Sequence, residues 1–315
     1  ETVIAGTGPL LWLLAAQLVR AGARIAAILD TTERRGYLNA APHAAGFLLS
    51  PLFRKGLALR REVARAVRVV TGVTDIRAAG FGKLASVTFF AGGRQETLSA
   101  DTLLLHQGVV PNVNLAMAAG CAHRWDARQL CFVPELDADG QSSVPGIYIA
   151  GDGAGVAGAW AAEERGRLAA IAAVRGLVPS ASVPDAQAIR QRLARHEASR
   201  GFLDTLFAPP RRFRVPQSDD TIVCRCEEVT AGAVREAARV GCEGPNQLKA
   251  FTRCGMGPCQ GRLCGLTVTE LIAEARGLSP ATVGSYRLRP PVKPISLGEL
   301  ARMPASEAAV KAVVR

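Results

Sequence analysis

Residues 2–30 read TVIAGTGPLLWLLAAQLVRAGARIAAILD, and this stretch decides the fold. Thr2–Ala5 is a short apolar strand. It runs into the turn Gly6-Thr7-Gly8-Pro9 and then into an apolar helical stretch reaching about Ala21. Arg24–Leu29 is a second strand, closed by Asp30. Parallel strands need a helical crossover, so the pattern is a β-α-β unit. Gly6-x-Gly8 stands where a dinucleotide fingerprint begins: glycine permits the tight turn, and the helix N-terminus that follows attracts phosphate. The third small position is Leu11. Asp30 at the end of the second strand can bond a ribose hydroxyl, which favours NAD over NADP. A glycine turn serving packing alone is the alternative.

The unit continues as an α/β domain. Residues 42–66 read as helical, with Pro42 near a start and Gly56 as a break. Val67–Val70, Val73–Ala78, Leu84–Phe90 and Gln95–Leu98 read as strands, the last two joined through Ala91-Gly92-Gly93 as a hairpin. Asp101–His106 is a further buried strand. A second nucleotide-type turn follows, with Gly146–Ala150 as strand, Gly151-Asp152-Gly153 as turn and Val156 to about Val174 as helix. Residues 175–220 are rich in Pro and Arg and form a helix-containing connector, and a Pro-rich tail (Arg287–Pro294) leads to a short final helix.

Composition narrows the function classes. Of 315 residues, 49% are hydrophobic, so the chain can build a true core. The net charge of +11 is carried mostly by Arg spread along the whole chain. The densest cluster (Arg211, Arg212, Arg214) lacks interleaved base-stacking aromatics beyond Phe213, so a solvated basic surface is expected and no nucleic-acid partner. Val3–Val19 is uncharged but carries Gly6, Gly8 and Pro9, has no basic leader and is short for a span, so no membrane span is expected. A cytoplasmic setting is expected, and without a secretory signal the 8 Cys are read as reduced, metal-binding or buried thiols. Glu1 sits directly before a core strand with no starting Met, which points to residues upstream.

The cysteines cluster near the C-terminus. Cys224-Arg-Cys226 is followed, after a long interval, by Cys259-Gln-Gly-Arg-Leu-Cys264. Four thiolates in two close pairs are what a 2Fe–2S cluster requires, and Gly255, Gly257 and Gly261 let the backbone aim N–H groups at sulfur. Zinc more often takes C-x2-C to C-x4-C pairs, and C-x-C is tight for it. A redox disulfide at C-x4-C leaves Cys224 and Cys226 without a role. Ala231–Val240 and Gln247–Arg253 have helical periodicity, so the ligand loops are expected at the ends of two short helices. Cys242 and Cys254 are expected to be packed thiols, and Cys121 and Cys131 to lie in the core. Arg225, Lys249, Arg253 and Arg262 surround the module, and together they are expected to stabilise the more negative reduced cluster. His43, His106, His123 and His196 are scattered and carry no catalytic pattern.

The text Cys224-Arg-Cys-Glu-Glu-Val-Thr230 with Thr252-Arg-Cys-Gly-Met-Gly-Pro-Cys-Gln-Gly-Arg-Leu-Cys264 resembles the ferredoxin-like module of bacterioferritin-associated ferredoxin. It resembles most the version in the α subunits of heteromeric bacterial amine and imino-acid oxidoreductases, and the tail Tyr286–Pro294 is similar to theirs. These enzymes act on sarcosine, proline, hydroxyproline, opines or glycine. The resemblance implies a Rossmann-like two-dinucleotide-binding flavoprotein fold with a small, mainly helical 2Fe–2S module. In that scheme residues 1–100 are the NAD-type domain and 101–175 the C-terminal half of an FAD domain. Residues 176–220 are the connector, 221–275 the 2Fe–2S module and 276–315 the tail. Gly6, Gly8, Pro9 and Asp30 would hold NAD or another adenine nucleotide, and Gly151 and Asp152 would reach FAD. The family places its first FAD-binding βαβ upstream, so this chain alone is expected to bind FAD weakly or not at all.

The resemblance further implies an electron-transfer subunit that works beside a catalytic flavoprotein β subunit. The alternatives are a self-contained NADH-dependent flavin and iron–sulfur reductase, or an iron–sulfur module that docks to a partner without turnover.

Overall fold

A computed structural model of the chain describes residues 1–304, 306 and 307. In chain order the helices and strands are β1 (Thr2–Gly6), α1 (Pro9–Arg20), β2 (Ile25–Asp30), α2 (Arg34–Ala40), α3 (Ala44–Leu48), α4 (Pro51–Ala66), β3 (Val69–Thr71), β4 (Val73–Ala79), β5 (Ser86–Ala91), β6 (Arg94–Ser99) and β7 (Thr102–His106). There follow α5 (Asn114–Ala118), β8 (His123–Asp126), β9 (Cys131–Pro134), α6 (Ala159–Leu177), α7 (Ala186–Glu197), α8 (Arg200–Leu206) and α9 (Arg211–Arg214). The last are β10 (Ile222–Cys224), β11 (Val229–Thr230), α10 (Ala231–Arg239), α11 (Pro245–Thr252), α12 (Gly265–Arg276), α13 (Pro280–Val283) and α14 (Leu297–Ala301). They fall into two compact units. One comprises Glu1–Val113 and Cys121–Thr221, the other Asn114–Gly120 and the chain from Ile222 onward.

The first unit is built on a parallel sheet in the order β3-β2-β1-β7. Side chains of β1 alternate between its two faces, as the strand period requires. Val3 and Ala5 pack with Ala27, Leu29, Val87 and Phe89 on the face carrying β4 and β5. Ile4 packs with Leu11, Trp12, Ala15, Ala16, Ile28 and Val63 on the face carrying α1 and α4. Both faces are covered, which explains why these strands read as unbroken apolar runs. Truncating a fully buried side chain such as Leu11 to Ala costs about 2–5 kcal/mol. The antiparallel meander β4-β5-β6 turns at Gly92 and Gly93, whose φ values of 57° and 80° suit a type I′ hairpin.

Four expectations change. The helical break lies at Ser50-Pro51, with Pro51 in the first turn of α4, while Gly56 passes through the helix unbroken. The strand of residues 102–106 pairs along its length with β1, so the first sheet continues past residue 100. Gly146–Ala150 forms no strand ladder. Tyr148 makes an isolated bridge to Gln141, and Ile149 N–H donates to Gly140 O at 2.8 Å. Its apolar residues imply strand, but no second strand lies beside it among the described residues. Finally, Asn114–Gly120, expected within the 101–175 segment, belongs to the second unit, where the Ser285 hydroxyl approaches Met117 Sδ at 3.9 Å. A hydrophobic period reports burial and says nothing of which neighbour provides it.

The second unit is mainly helical. The short antiparallel pair β10-β11 ends at Thr230, whose hydroxyl accepts from Ala233 N–H at 3.2 Å and caps α10. Ala231, Val234, Ala237, Leu248, Val268, Leu271 and Ile272 are buried on α10, α11 and α12. Small alanines on α10 permit close helix packing.

Candidate functional site

Two places in the chain concentrate chemistry. The first is the carboxyl end of the parallel sheet, where open α/β sheets bind ligands. Gly6 has φ 144° and lies against β7 so closely that a Cβ there would sit 1.7 Å from His106 O. Thr7 N–H donates to that same carbonyl at 2.9 Å, and Thr31 N–H donates to Gly6 O at 2.9 Å. The Thr7 and Thr32 hydroxyls share a buried hydrogen bond of 2.8 Å. Thr31 Oγ1 donates to Gln107 Oε1 at 3.3 Å. The turn is therefore fixed by the ends of all three strands around it. Gly8 (φ 101°) caps α1, and Pro9 takes the first helical position, where its missing N–H costs nothing. The imidazole of His106 stands over this turn, since a Cβ on Gly8 would meet His106 Nε2 at 3.7 Å. Burial holds that imidazole below its ordinary pKa.

Asp30 is only 2% exposed. One carboxylate oxygen accepts Thr32 N–H at 2.9 Å, and the other faces the Arg60 guanidinium at 3.9 Å. Arg60 also lies over the Trp12 ring at 4.6 Å. The acid expected to meet a ribose is turned into the protein, where it braces the turn after β2.

The second glycine turn is a single 3-10 turn, Gly151–Ala154, with Asp152 exposed. The following stretch is clamped. The Gln129 side chain donates to Val156 O at 2.7 Å and accepts Val156 N–H at 3.2 Å. Arg165 donates to Gly155 O at 2.6 Å and pairs with Glu197.

The second place is the cysteine module. The ligand loop runs from the C-terminus of α11 to the N-terminus of α12, and its partner is the end of β10. Glu228, Arg253 and Gln260 hold positive φ values of 52°, 61° and 51°, an uncommon concentration for residues other than glycine. This wrapping gathers five thiols into a trio and a neighbouring pair. The sulfurs of Cys224, Cys254 and Cys264 all lie within 4.8 Å of one another, and all three residues are buried. Cys226 and Cys259 are part-exposed and hydrogen-bonded to each other. Burial pushes the Cys259 thiol up, but the Leu263, Gly261 and Arg262 N–H groups aimed at its sulfur, with the Cys226 thiol, leave it below the ordinary value. A hydrogen bond from Cys264 opposes burial at Cys254 and, with those from Tyr286 and Cys224, lowers its thiol to about 7. The same hydrogen bond, reinforced by burial, raises Cys264.

Tyr286 is the residue that motif reading missed. It is 4% exposed and comes from beyond the expected end of the module. Its ring fills the space over Gly255 and Gly261, where added Cβ atoms would meet it at 2.5 and 2.6 Å. Lys249 Nζ stands 5.0 Å from the ring centre and donates to Arg287 O. The signal was present as the run of glycines at 255, 261 and 265, which leaves room for one large side chain. Of the flanking cations, Arg253 pairs with Glu227 at 3.1 Å and Arg262 donates to Val292 O at 2.9 Å, while Arg225 is exposed. Cys242 is a packed thiol that donates to Gly244 O, and Cys121 and Cys131 are buried in the first unit. Cys254 differs from its expectation: it joins the thiol centre. Three sulfurs within 4.8 Å of one another, with a hydrogen-bonded thiol pair near them, are a soft donor set of the kind that selects iron–sulfur clusters or zinc.

Two family models match the chain. Residues 2–176 match the pyridine nucleotide-disulphide oxidoreductase family, and residues 218–303 match the sarcosine oxidase A3 domain. An opine oxidase subunit of Rhizobium meliloti is 48% identical over 314 residues, covering 99% of this chain and 60% of the relative. The corresponding opine oxidase subunit of Agrobacterium tumefaciens (strain Ach5) is also 48% identical, over 99% of this chain and 63% of the relative. The chain thus spans 60–63% of the length of these two relatives. The crystal structure of L-proline dehydrogenase from P. horikoshii superposes with a TM-score of 0.66 at 20% identity, over 95% of this chain and 50% of that one. That likeness bears on the fold alone. No helix among the described residues is long and apolar enough to cross a membrane.

Proposed function

Because the chain belongs to the pyridine nucleotide-disulphide oxidoreductase family, we propose that it is the electron-transfer and nucleotide-binding subunit of a heteromeric FAD-dependent amine or imino-acid oxidase or dehydrogenase. The observation that carries the reading is the thiol centre: the buried trio Cys224, Cys254 and Cys264 and the pair Cys226 and Cys259 lie where the sarcosine oxidase A3 domain matches, on a chain whose other unit matches a dinucleotide fold. The opine oxidase relatives favour an opine or related secondary amine as substrate. Sarcosine, proline, hydroxyproline and glycine remain within the class.

In this reading Cys224, Cys226, Cys259 and Cys264 hold a 2Fe–2S cluster. The donor set fits it: every converging side chain is a thiol, and backbone N–H groups point at Cys259 sulfur. A bound cluster supplies one-electron transfer, and FAD supplies the link between paired and single electrons. The protein's part is to hold the thiols in place, to close the buried side with Tyr286 and to keep Cys226 and Cys259 toward the surface. Gly6, Gly8 and Pro9 would bind the phosphates of NAD or another adenine nucleotide, with Asp30 holding the turn in shape. Gly151 and Asp152 would approach FAD. Substrate oxidation belongs to a catalytic flavoprotein β subunit, and the complex works in the cytoplasm.

The test is anaerobic purification of the full-length protein, followed by identification of every chain and cofactor that co-elutes. A second flavoprotein chain with an opine- or amine-dependent reduction of the iron–sulfur spectrum supports the reading. Full NADH-dependent reduction of the isolated protein, with no second chain, would replace it with the self-contained reductase.

A further inference from the structure

We propose that the glycine-turn site of the first unit takes an adenine nucleotide whose ribose carries a 2′-phosphate, of the NADPH class, and that Arg34 selects it. The inference rests on the nucleotide-binding part of the reading above and deepens it. In a β-α-β nucleotide site the pyrophosphate lies at the N-terminus of the first helix, and the adenosine ribose lies by the end of the second strand. Here those places are Gly8, before α1, and Asp30, closing β2. An acid at the second place selects a free ribose diol only when it can accept from the hydroxyls. Asp30 is 2% exposed, with one oxygen on Thr32 N–H and the other facing the Arg60 guanidinium. A diol therefore meets no open acceptor there, and the charge that would repel a phosphate is offset. The next acid, Glu33, is engaged by Arg212 at 2.6 Å.

The helix that follows supplies a cation to the same place. Arg60 faces Asp30 and also donates to the Tyr37 hydroxyl of α2 at 3.4 Å. Arg34 precedes Tyr37 by three residues and shares its side of α2. Gly36 marks the other side, packed on α8, where an added Cβ would meet Leu206 O at 2.8 Å. Arg34 thus stands on the side of α2 that carries the Tyr37 contact to Arg60. It is exposed, and its side chain makes no hydrogen bond or ion pair among the described residues. A guanidinium in that position can bind a phosphate monoester through paired, charge-assisted hydrogen bonds. Arg35 is also exposed but lies about 100° further round the helix, away from Tyr37. It is the internal control for charge alone.

The test uses the full-length protein with its cofactors as wild type, Arg34→Gln and Arg35→Gln. Dissociation constants are measured by calorimetry for NADPH and NADH, and for the adenosine-half probes 2′,5′-ADP and 5′-AMP. Circular dichroism checks the fold. Wild type and Arg35→Gln should bind NADPH and 2′,5′-ADP roughly tenfold more tightly than NADH and 5′-AMP. Arg34→Gln should lose most of that preference while its affinity for NADH stays unchanged. Wild-type protein that binds NADH as tightly as NADPH would overturn the proposal, whatever the variants do. So would a folded Arg34→Gln that keeps the full preference, or an Arg35→Gln that loses as much of it. Wild-type protein that binds none of the four compounds would instead sink the nucleotide reading itself, so the two failures are distinguishable.

Discussion

The Tyr286 hydroxyl shares its one proton between two acceptors of Cys254, the carbonyl oxygen at 3.1 Å and the sulfur at 3.3 Å. The tyrosine is supplied by the Pro-rich tail, so the tail is a structural part of the thiol centre. Tyr286→Phe keeps the ring and removes both contacts. The loss of a buried hydrogen bond costs about 1 kcal/mol. We expect a lower thermal midpoint for the variant, with the overall secondary structure unchanged. A variant as stable as wild type would show that the hydroxyl contributes nothing.

The glycines beneath the ring are predicted to be far less tolerant. Gly255 and Gly261 have φ values of 83° and 78°, and a Cβ on either would overlap the Tyr286 ring. Alanine at either position adds backbone strain of about 1–3 kcal/mol to the cost of displacing the ring. Gly241, at φ 107° with open space around it, is the control that carries strain alone. Iron retention and melting should fall for Gly255→Ala and Gly261→Ala well below the Gly241→Ala values.

In the other unit, Gly6→Ala should abolish folding of the parallel sheet. The new Cβ would lie 1.7 Å from the His106 carbonyl, a backbone atom that cannot move without breaking the β1-β7 ladder. Soluble expression and circular dichroism check this, and a well-folded Gly6→Ala chain would refute the described register.

Stability should fall in mild acid. Burial holds both His106 and His123 below the imidazole value of 6.5. The unfolded chain therefore takes up these protons more readily than the folded one. Their contribution is complete above pH 6.5 and is lost as pH falls below it. Denaturation midpoints between about pH 8 and about pH 5.5 should decline, above the range where carboxylates titrate. The His106→Asn/His123→Asn double variant should flatten that slope; an unchanged slope would assign it elsewhere.

Much of this was readable from local pattern. The β1-α1-β2 unit, the Gly92-Gly93 hairpin and α10 follow from apolar period and turn residues, because neighbours in sequence decide them. That Cys224 would meet Cys264, and Cys226 meet Cys259, was legible from spacing. What escaped depends on contacts across the chain. Asp30 reads as a ribose acceptor at the end of a strand, and its contacts with Thr32 and Arg60 form only in the folded chain. Cys254 looks like a core thiol until two other sulfurs arrive beside it. Gly146–Ala150 has a strand's composition, but its pairing with residues 140–142 stops at an isolated bridge. Tyr286 opens the tail that resembles the family's, but its role shows only once the glycine loop has folded beneath it.

The central claim is that the thiol centre holds a 2Fe–2S cluster, and metal analysis of the anaerobically purified full-length protein tests it most directly. The account predicts iron and acid-labile sulfide in equal amounts, about two of each per chain, with an EPR signal that appears on one-electron reduction. Stoichiometric zinc without sulfide, or protein free of both metals with all of its thiols titratable, would contradict it.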